Sequence, residues 1–269
     1  MLTANSIFAS EGVGVWDVAC RHPAGRGAAD EHAGSHAVVF VRRGCFVRSA
    51  EGGESLLDPT VAYCMRPGEE QRFDHPHDHG DECTSIALEP ELVAALWGGE
   101  PDLPAGLLPV APALDVGHRL LLTAARRGED VAERALELAA GALEAVDRRR
   151  VASGRPATER ARRALADGVR EALAERPGRS LPELAQLLAV SPHHLSRVFR
   201  AQTGHTIARH RMRLRVRAAL DRCAEGEREL ARLAAELGFA DQAHLTRAVR
   251  AETGTTPAAL RAALSDPRT

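Results

Sequence analysis

The sequence predicts an α+β protein. A strand-rich N-terminal part forms a β-sandwich or barrel, helices follow it, and the C-terminal part is all-α with two helix-turn-helix subdomains. Three observations predict this. Short apolar runs broken by Gly and Pro turns occupy residues 1 to about 110. Beyond Pro112 the apolar residues recur at spacings of three and four, the period of a helix. From Thr158 on, the chain repeats itself, and each copy is punctuated as helix, turn and helix.

The strands come first. Ala37-Val38-Val39-Phe40-Val41 is a short apolar run that ends at Arg42-Arg43-Gly44 and resumes at Cys45-Phe46-Val47-Arg48. Thr60 to Met65 precedes the turn signal Arg66-Pro67-Gly68, and Cys83 to Leu88 is a further candidate strand. Short strands separated by such turns build sandwiches and barrels.

A Pro-rich stretch runs from Pro101 to Pro112, and the period then changes. Leu120, Leu121, Ala124 and Ala125 fit one helix. Val131, Ala135, Leu138, Ala139, Ala142, Leu143 and Val146 fit another. Asp147 to Pro156 is charged and contains Gly154, so it reads as a linker. The boundaries drawn are 1–112 for a sensor domain, 113–150 for a helical dimerisation or connector segment, 151–157 for the linker, and 158–269 for the helical domain.

A net charge of -2 conceals an asymmetry between the two parts. Residues 158–269 carry 20 Arg against 13 acidic residues, whereas residues 1–157 carry 15 Arg against 24. Only the second part suits a polyanion. No apolar run approaches the roughly 18 residues of a membrane span. No basic stretch precedes a long apolar run at the start, so the expected compartment is the cytoplasm, with no membrane partner. Five irregularly spaced cysteines do not suggest a disulfide framework.

The repeat carries the functional signal. Leu195-Ser196-Arg197-Val198-Phe199-Arg200-Ala201-Gln202-Thr203-Gly204 aligns with Leu245-Thr246-Arg247-Ala248-Val249-Arg250-Ala251-Glu252-Thr253-Gly254, 50 positions later, and Leu184-Ala185 aligns with Leu233-Ala234. Ser180-Leu181-Pro182-Glu183 is a capping box for a helix that should end near Ala189. Ser191-Pro192 restarts the chain as N-cap and first helical residue, and Gly204 closes it. In the second copy the first helix ends at Gly238, Asp241 caps the next, and Gly254 ends it. Leu195, Val198 and Phe199 face inward in one copy, and Leu245, Ala248 and Val249 in the other.

The outward faces then present His193, Ser196, Arg197 and Arg200 in the first unit, and Gln242, Ala243, Thr246, Arg247 and Arg250 in the second. Arg binds guanine bidentately, Gln does the same for adenine, and hydroxyls reach bases or phosphates. Most of these positions lie in the first two turns, where a recognition helix meets base edges. A single amphipathic helix with a solvated face would look similar, but matched Arg pairs in two copies favour double-stranded DNA as the partner. Between the units, Ile207 to Leu220 reads as one helix with Ile207, Leu214, Arg217-Ala218 and Leu220 towards the core. Its Arg residues suit phosphates or a solvated face equally.

At these residues the sequence resembles the AraC/XylS family of bacterial regulators. The match rests on Leu184-Ala185, Ser191-Pro192, Leu195 to Arg200, Gly204, Arg213-Leu214, Ala218, Leu220, Leu233-Ala234, Gly238-Phe239-Ala240-Asp241, Thr246-Arg247, Gly254, Thr256-Pro257 and Leu260-Arg261. The resemblance implies two helix-turn-helix subdomains joined by a long helix, asymmetric sites near promoters, RNA polymerase as a partner, activator function and a homodimer. It places base contacts at His193, Ser196, Arg197, Gln242, Ala243, Thr246 and Arg247. Ala189 departs from the pattern where the turn often has Gly, and Val249 where an aromatic is usual.

The N-terminal half resembles the cupin-type sensor domain common in that family, through Glu31-His32, His36, Asp58-Pro59, Arg66-Pro67-Gly68-Glu69, His75-Pro76 and Gly80 to Thr84. Such a domain implies an effector inside the barrel, either a small organic molecule or a metal ion, with the helices between Leu120 and Val146 as a dimer surface. Cys20, His22, His32, His36, Cys45, Cys64, His75, His77, His79 and Cys83 all lie in this half, and Cys and His are natural ligands of zinc and copper. Cys20, His32, His36 and Cys83 are the candidates for an effector or metal site. His75 to Gly80 reads instead as an exposed loop. A metal- or thiol-responsive regulator is the alternative reading; a cupin enzyme or a DNA-repair alkyl acceptor fused to the same helices ranks below it. The alkyl acceptor would need a clustered four-Cys site, and no nucleophile motif, phosphate loop or carboxylate pair argues for catalysis.

Overall fold

A computed structural model describes residues 2–21, 23–25, 31–51, 53–78, 80–146 and 156–264. The chain divides into two compact units, Met1–Arg149 and Arg150–Thr269. His22, His79 and residues 151–155 of the expected linker lie outside the described residues.

Two antiparallel sheets build the first unit. The larger runs in the order β1 (Leu2–Ala9), β2 (Val13–Cys20), β9 (Asp81–Leu88), β4 (His36–Arg43), β7 (Val61–Met65) and β10 (Leu107–Pro109). The smaller runs β3 (Glu31–His32), β8 (Glu70–Asp74), β5 (Phe46–Ala50) and β6 (Gly53–Leu57). The sequence runs at Ala37, Cys45, Thr60 and Cys83 correspond to β4, β5, β7 and β9. The other six strands carry no comparable run.

β4 is apolar from Ala37 to Val41 because that stretch is covered on both faces. Side chains alternate across a strand, so Ala37, Val39 and Val41 join Phe46, Leu57 and Tyr63 between the sheets. Val38 and Phe40 join the other side, where the helices α1 (Pro90–Leu96), α2 (Pro112–Arg127) and α3 (Val131–Glu144) contribute Val93, Leu121, Ala135, Leu138 and Leu143. Truncating Leu121 or Leu138 to Ala in such a core costs about 2–5 kcal/mol. The apolar faces of α2 and α3 pack on the chain's own sheet. α2 also starts well before Leu120, because Pro112 occupies the first turn, where its fixed φ and missing N–H suit a helix start.

The second unit is helical: α4 (Pro156–Glu175), α5 (Leu181–Leu187), α6 (Pro192–Thr203), α7 (Ile207–Ala224), α8 (Leu230–Glu236), α9 (Gln242–Thr253) and α10 (Pro257–Leu264). Val169 and Leu173 of α4, Leu184 of α5, Leu195 and Phe199 of α6 and Ile207 of α7 share one core. α7 is longer than expected; it buries Ile207 and Leu220 as expected, and with them His210, Val216, Ala219 and Cys223. Leu214 and Arg217-Ala218 are only half-buried. No helix of the described residues is long and apolar enough to cross a membrane.

Candidate nucleic-acid interface

The second helices of the two helix-turn-helix units, α6 and α9, repeat bond by bond, whereas the first helices are capped differently. Ser180 and Glu183 complete the expected capping box of α5. Ser191 and Asp241 cap α6 and α9 by accepting the N–H of His194 and His244. Thr203 Oγ1 donates to the Phe199 carbonyl at 2.7 Å, and Thr253 Oγ1 to the Val249 carbonyl at 2.8 Å. Gly204 and Gly254 then close the helices with φ of 77° and 78°. Each cap satisfies N–H groups that a helix end otherwise leaves open, worth about 1 kcal/mol apiece.

This punctuation fixes which face points outward. On α6, Leu195, Val198 and Phe199 are buried, while His193, Arg197 and Arg200 are exposed and Ser196 is half-buried. On α9, Leu245 and Val249 are buried, Ala248 only half so, and Gln242, Ala243, Arg247 and Arg250 are exposed beside half-buried Thr246. Arg197 lies 3.4 Å from His194 Nδ1 one turn away. The guanidinium groups of Arg200, Arg247 and Arg250 form no ion pair among the described residues. The nine sequence candidates thus stand on two matched polar faces.

The arginines of α7 divide differently. Arg209 pairs with the buried carboxylate of Glu252 at 2.8 Å. Arg211 donates to the Arg179 carbonyl at 3.0 Å, and Arg215 to the Gly238 carbonyl at 2.9 Å. Arg222 bridges Glu227 and Glu236. These arginines are therefore engaged within the protein, where the sequence leaves phosphates and a solvated face equally open. Glu227 is held at about 2, chiefly by the backbone N–H of Glu229 and then by Arg232, so it stays ionised for this network.

Residues 184–263 match the family described as a helix-turn-helix domain. The C-terminal unit carries an AraC-type helix-turn-helix domain. No curated protein matches the chain. Among solved structures, unsaturated fatty acid-bound ToxT from Vibrio cholerae strain SCE256 is similar over 94% of this chain and 97% of its own, at 9% identity and a TM-score of 0.38. A cupin domain from Bordetella pertussis Tohama I is similar over 33% of this chain and 93% of its own, at 20% identity and a TM-score of 0.27. The AraC-type domain makes the chain a DNA-binding regulator in outline. Its α6 and α9 are the second helices of their units.

The N-terminal candidates do not form one group. His32 is exposed at the edge of the smaller sheet, opposite Glu70. His36 is buried and sits opposite Leu88 at the far end of β9, 3.9 Å from Asp102. Cys20 sits opposite Asp81 at the near end of β9. Seven residues of strand separate those ends, roughly 23 Å. Cys83 belongs with Cys20, because it lies two residues past Asp81 on the same face. Burial pushes its thiol well up, and the Asp81 charge adds to this.

His75, which the sequence places in an exposed loop, is instead buried, its ring beside Phe46 and its backbone bonded in both directions to Gly25. Sequence reasoning also missed Asp81, whose pairing with Cys20 is a matter of register. A second buried polar group went unseen as well. Arg48 donates to Gln71 at 2.9 Å and Glu69 at 2.8 Å, with its guanidinium 4.9 Å above the Tyr63 ring.

Proposed function

We propose that the chain regulates transcription by reading double-stranded DNA with α6 and α9 in successive major grooves, under the control of an effector bound by the N-terminal unit. The matched display of Arg197 and Arg200 on α6 with Arg247 and Arg250 on α9, each on a capped helix of the same AraC-type domain, carries this reading. His193, Ser196 and Arg197 read one set of bases. Gln242, Ala243, Thr246 and Arg247 read the other, and Arg200 and Arg250 anchor phosphates. RNA polymerase, a second copy of the chain and a cytoplasmic location complete the reading.

For the effector, the first unit offers an open groove of about 460 Å³ lined by Ile7, Phe8, Ala125, Val131 and Ala132, with Asp130 and Glu133 on it. That volume suits a small organic molecule.

The test is binding of the full chain to fragments selected from random DNA, over a range of salt. Specific sites should be preferred by several kcal/mol, with affinity falling steeply as salt rises. Arg197→Ala should cost about 1–3 kcal/mol on the selected site and relax one base position, whereas Arg200→Ala should weaken all sequences alike. Equal affinity for selected and random DNA would overturn the proposal.

A further inference from the structure

Cys20, His75 and Asp81 come from three different strands or strand ends, yet one ligand atom from each lies within 4.8 Å of the others. All three are buried. Their convergence follows from the fold. Cys20 and Asp81 are register partners on β2 and β9. His75 ends β8 of the opposite sheet, with Nε2 2.8 Å from Asp81 Oδ2. Cys83 brings a second sulfur, its Sγ 3.9 Å from Asp81 Oδ1.

The backbone is drawn tight around this cluster. At Gly80, with φ of 68°, a Cβ would stand 2.4 Å from the Cys20 carbonyl oxygen. At Gly44, with φ of 79°, it would stand 2.3 Å from the Gly80 carbonyl oxygen. Only glycine lets the three chain segments approach so closely, and their approach fixes Cys20 against Asp81.

We infer that Cys20, His75, Asp81 and Cys83 form a binding site for one zinc-type divalent ion. Two thiolates, an imidazole and a carboxylate are a borderline-soft donor set suited to four-coordinate zinc rather than to calcium or magnesium, which take oxygen ligands. Bonds of about 2.0–2.3 Å in a tetrahedron set neighbouring ligand atoms roughly 3.3–3.8 Å apart. The observed separations among Cys20, His75 and Asp81, from 2.8 Å to at most 4.8 Å, bracket that range, and Cys83 is placed beside them by its 3.9 Å approach to Asp81 Oδ1. Charge argues the same way. Asp81 Oδ2 is buried with only His75 Nε2 beside it, at 2.8 Å and without a well-aligned hydrogen bond, and a cation at this place would stabilise the buried carboxylate. On binding, both thiol protons leave to solvent and each sulfur donates an electron pair to the ion. With four protein ligands the site is closed, so the ion ties β2, β9 and the end of β8 together rather than presenting an open position to substrate. The site does not depend on the DNA reading.

The experiment uses the full chain, stripped with a chelator under reducing conditions and titrated with zinc chloride against a chromophoric competitor, then with cobalt chloride. The expected result is one equivalent of either ion per chain, with cobalt giving a thiolate-to-metal band and the strong visible absorption of a tetrahedral centre. Cys20→Ser, His75→Asn and Cys83→Ser should each weaken zinc by at least about tenfold. His32→Asn and His36→Asn, placed elsewhere, should leave it unchanged. Where a cysteine variant fails to fold, the cobalt spectrum of the unaltered chain and Asp81→Asn decide. Binding without a thiolate band, binding equally weakened by His32→Asn, or no binding would each overturn the site. Operator affinity of the stripped chain is read separately and bears only on the DNA proposal.

Discussion

Ala189 and Gly238 close the same turn in the two helix-turn-helix units, both in the left-handed conformation, at φ of 52° and 72°. The bonds around them correspond. Ala189 N–H donates to Gln186 and Gly238 N–H to Ala235, each at 3.2 Å. The next N–H groups, of Val190 and Phe239, reach back to Ala185 and Ala234. A Cβ in this conformation costs about 1–2 kcal/mol, partly offset by the greater unfolded-state freedom of glycine. Ala189→Gly should therefore stabilise the second unit by about 0.5–1 kcal/mol. Gly238→Ala should destabilise it by about 0.5–1 kcal/mol through the left-handed backbone alone, since its Cβ would meet the Arg215 guanidinium at an ordinary contact distance of 3.5 Å. Urea midpoints with an unchanged slope would check both.

The Arg209–Glu252 pair joins α7 to α9, the second helix of its unit. Glu252 is 4% exposed and Arg209 57%, so Glu252 bears the consequence of breaking it. Arg209→Ala should destabilise by about 1–3 kcal/mol by leaving a buried carboxylate uncompensated. Adding Glu252→Gln should restore part of the loss. A double-mutant cycle showing simple additivity would contradict the coupling.

His205 gives the second unit a pH dependence. Burial holds its imidazole below the ordinary 6.5, and the Arg213 charge adds to this, with Arg170 and Arg209 behind it. Its ring stacks on His210, and Phe199 meets it edge-on. A folded state that disfavours the proton binds it less than the unfolded chain does. The stability so conferred is complete above 6.5 and is lost as pH falls through the lowered folded value. Unfolding midpoints should be flat above about pH 7, decline below 6.5, and decline less in His205→Gln.

Cys64 lies between the larger sheet and its helices, and burial pushes its thiol up to about 12. The thiolate is the reactive form. Cys64 should therefore resist alkylation in the native protein near neutral pH and react only on unfolding, as peptide mapping would show.

The second unit was legible because its signals are local. Ser191-Pro192, Asp241, Gly204 and Gly254 mark helix ends within a few residues, and the repeat doubles the signal. The polar faces of α6 and α9 followed from those ends alone. The first unit depends on pairings between distant segments. β1 is exposed along most of its length and shows no alternation. β6 and β8 are short and partly polar. Nothing near Cys20 in the sequence indicates that Asp81 lies opposite it. His75 differs from its expected place because Pro76-His77-Asp78 carries loop composition, while its burial comes from Phe46 and Gly25, both far away along the chain.

α7 is 18 residues of unbroken helix that touches α6, α9 and α10. On the proposed reading, with α6 and α9 both seated on DNA, it acts as a ruler rather than a tether. Chain flexibility cannot absorb a change in spacing between the two half-sites. About five added base pairs, half a turn of the duplex, would rotate one half-site to the opposite side of the double helix and leave only one recognition helix engaged. Promoter spacing, as much as base identity, then decides which genes such a protein can reach.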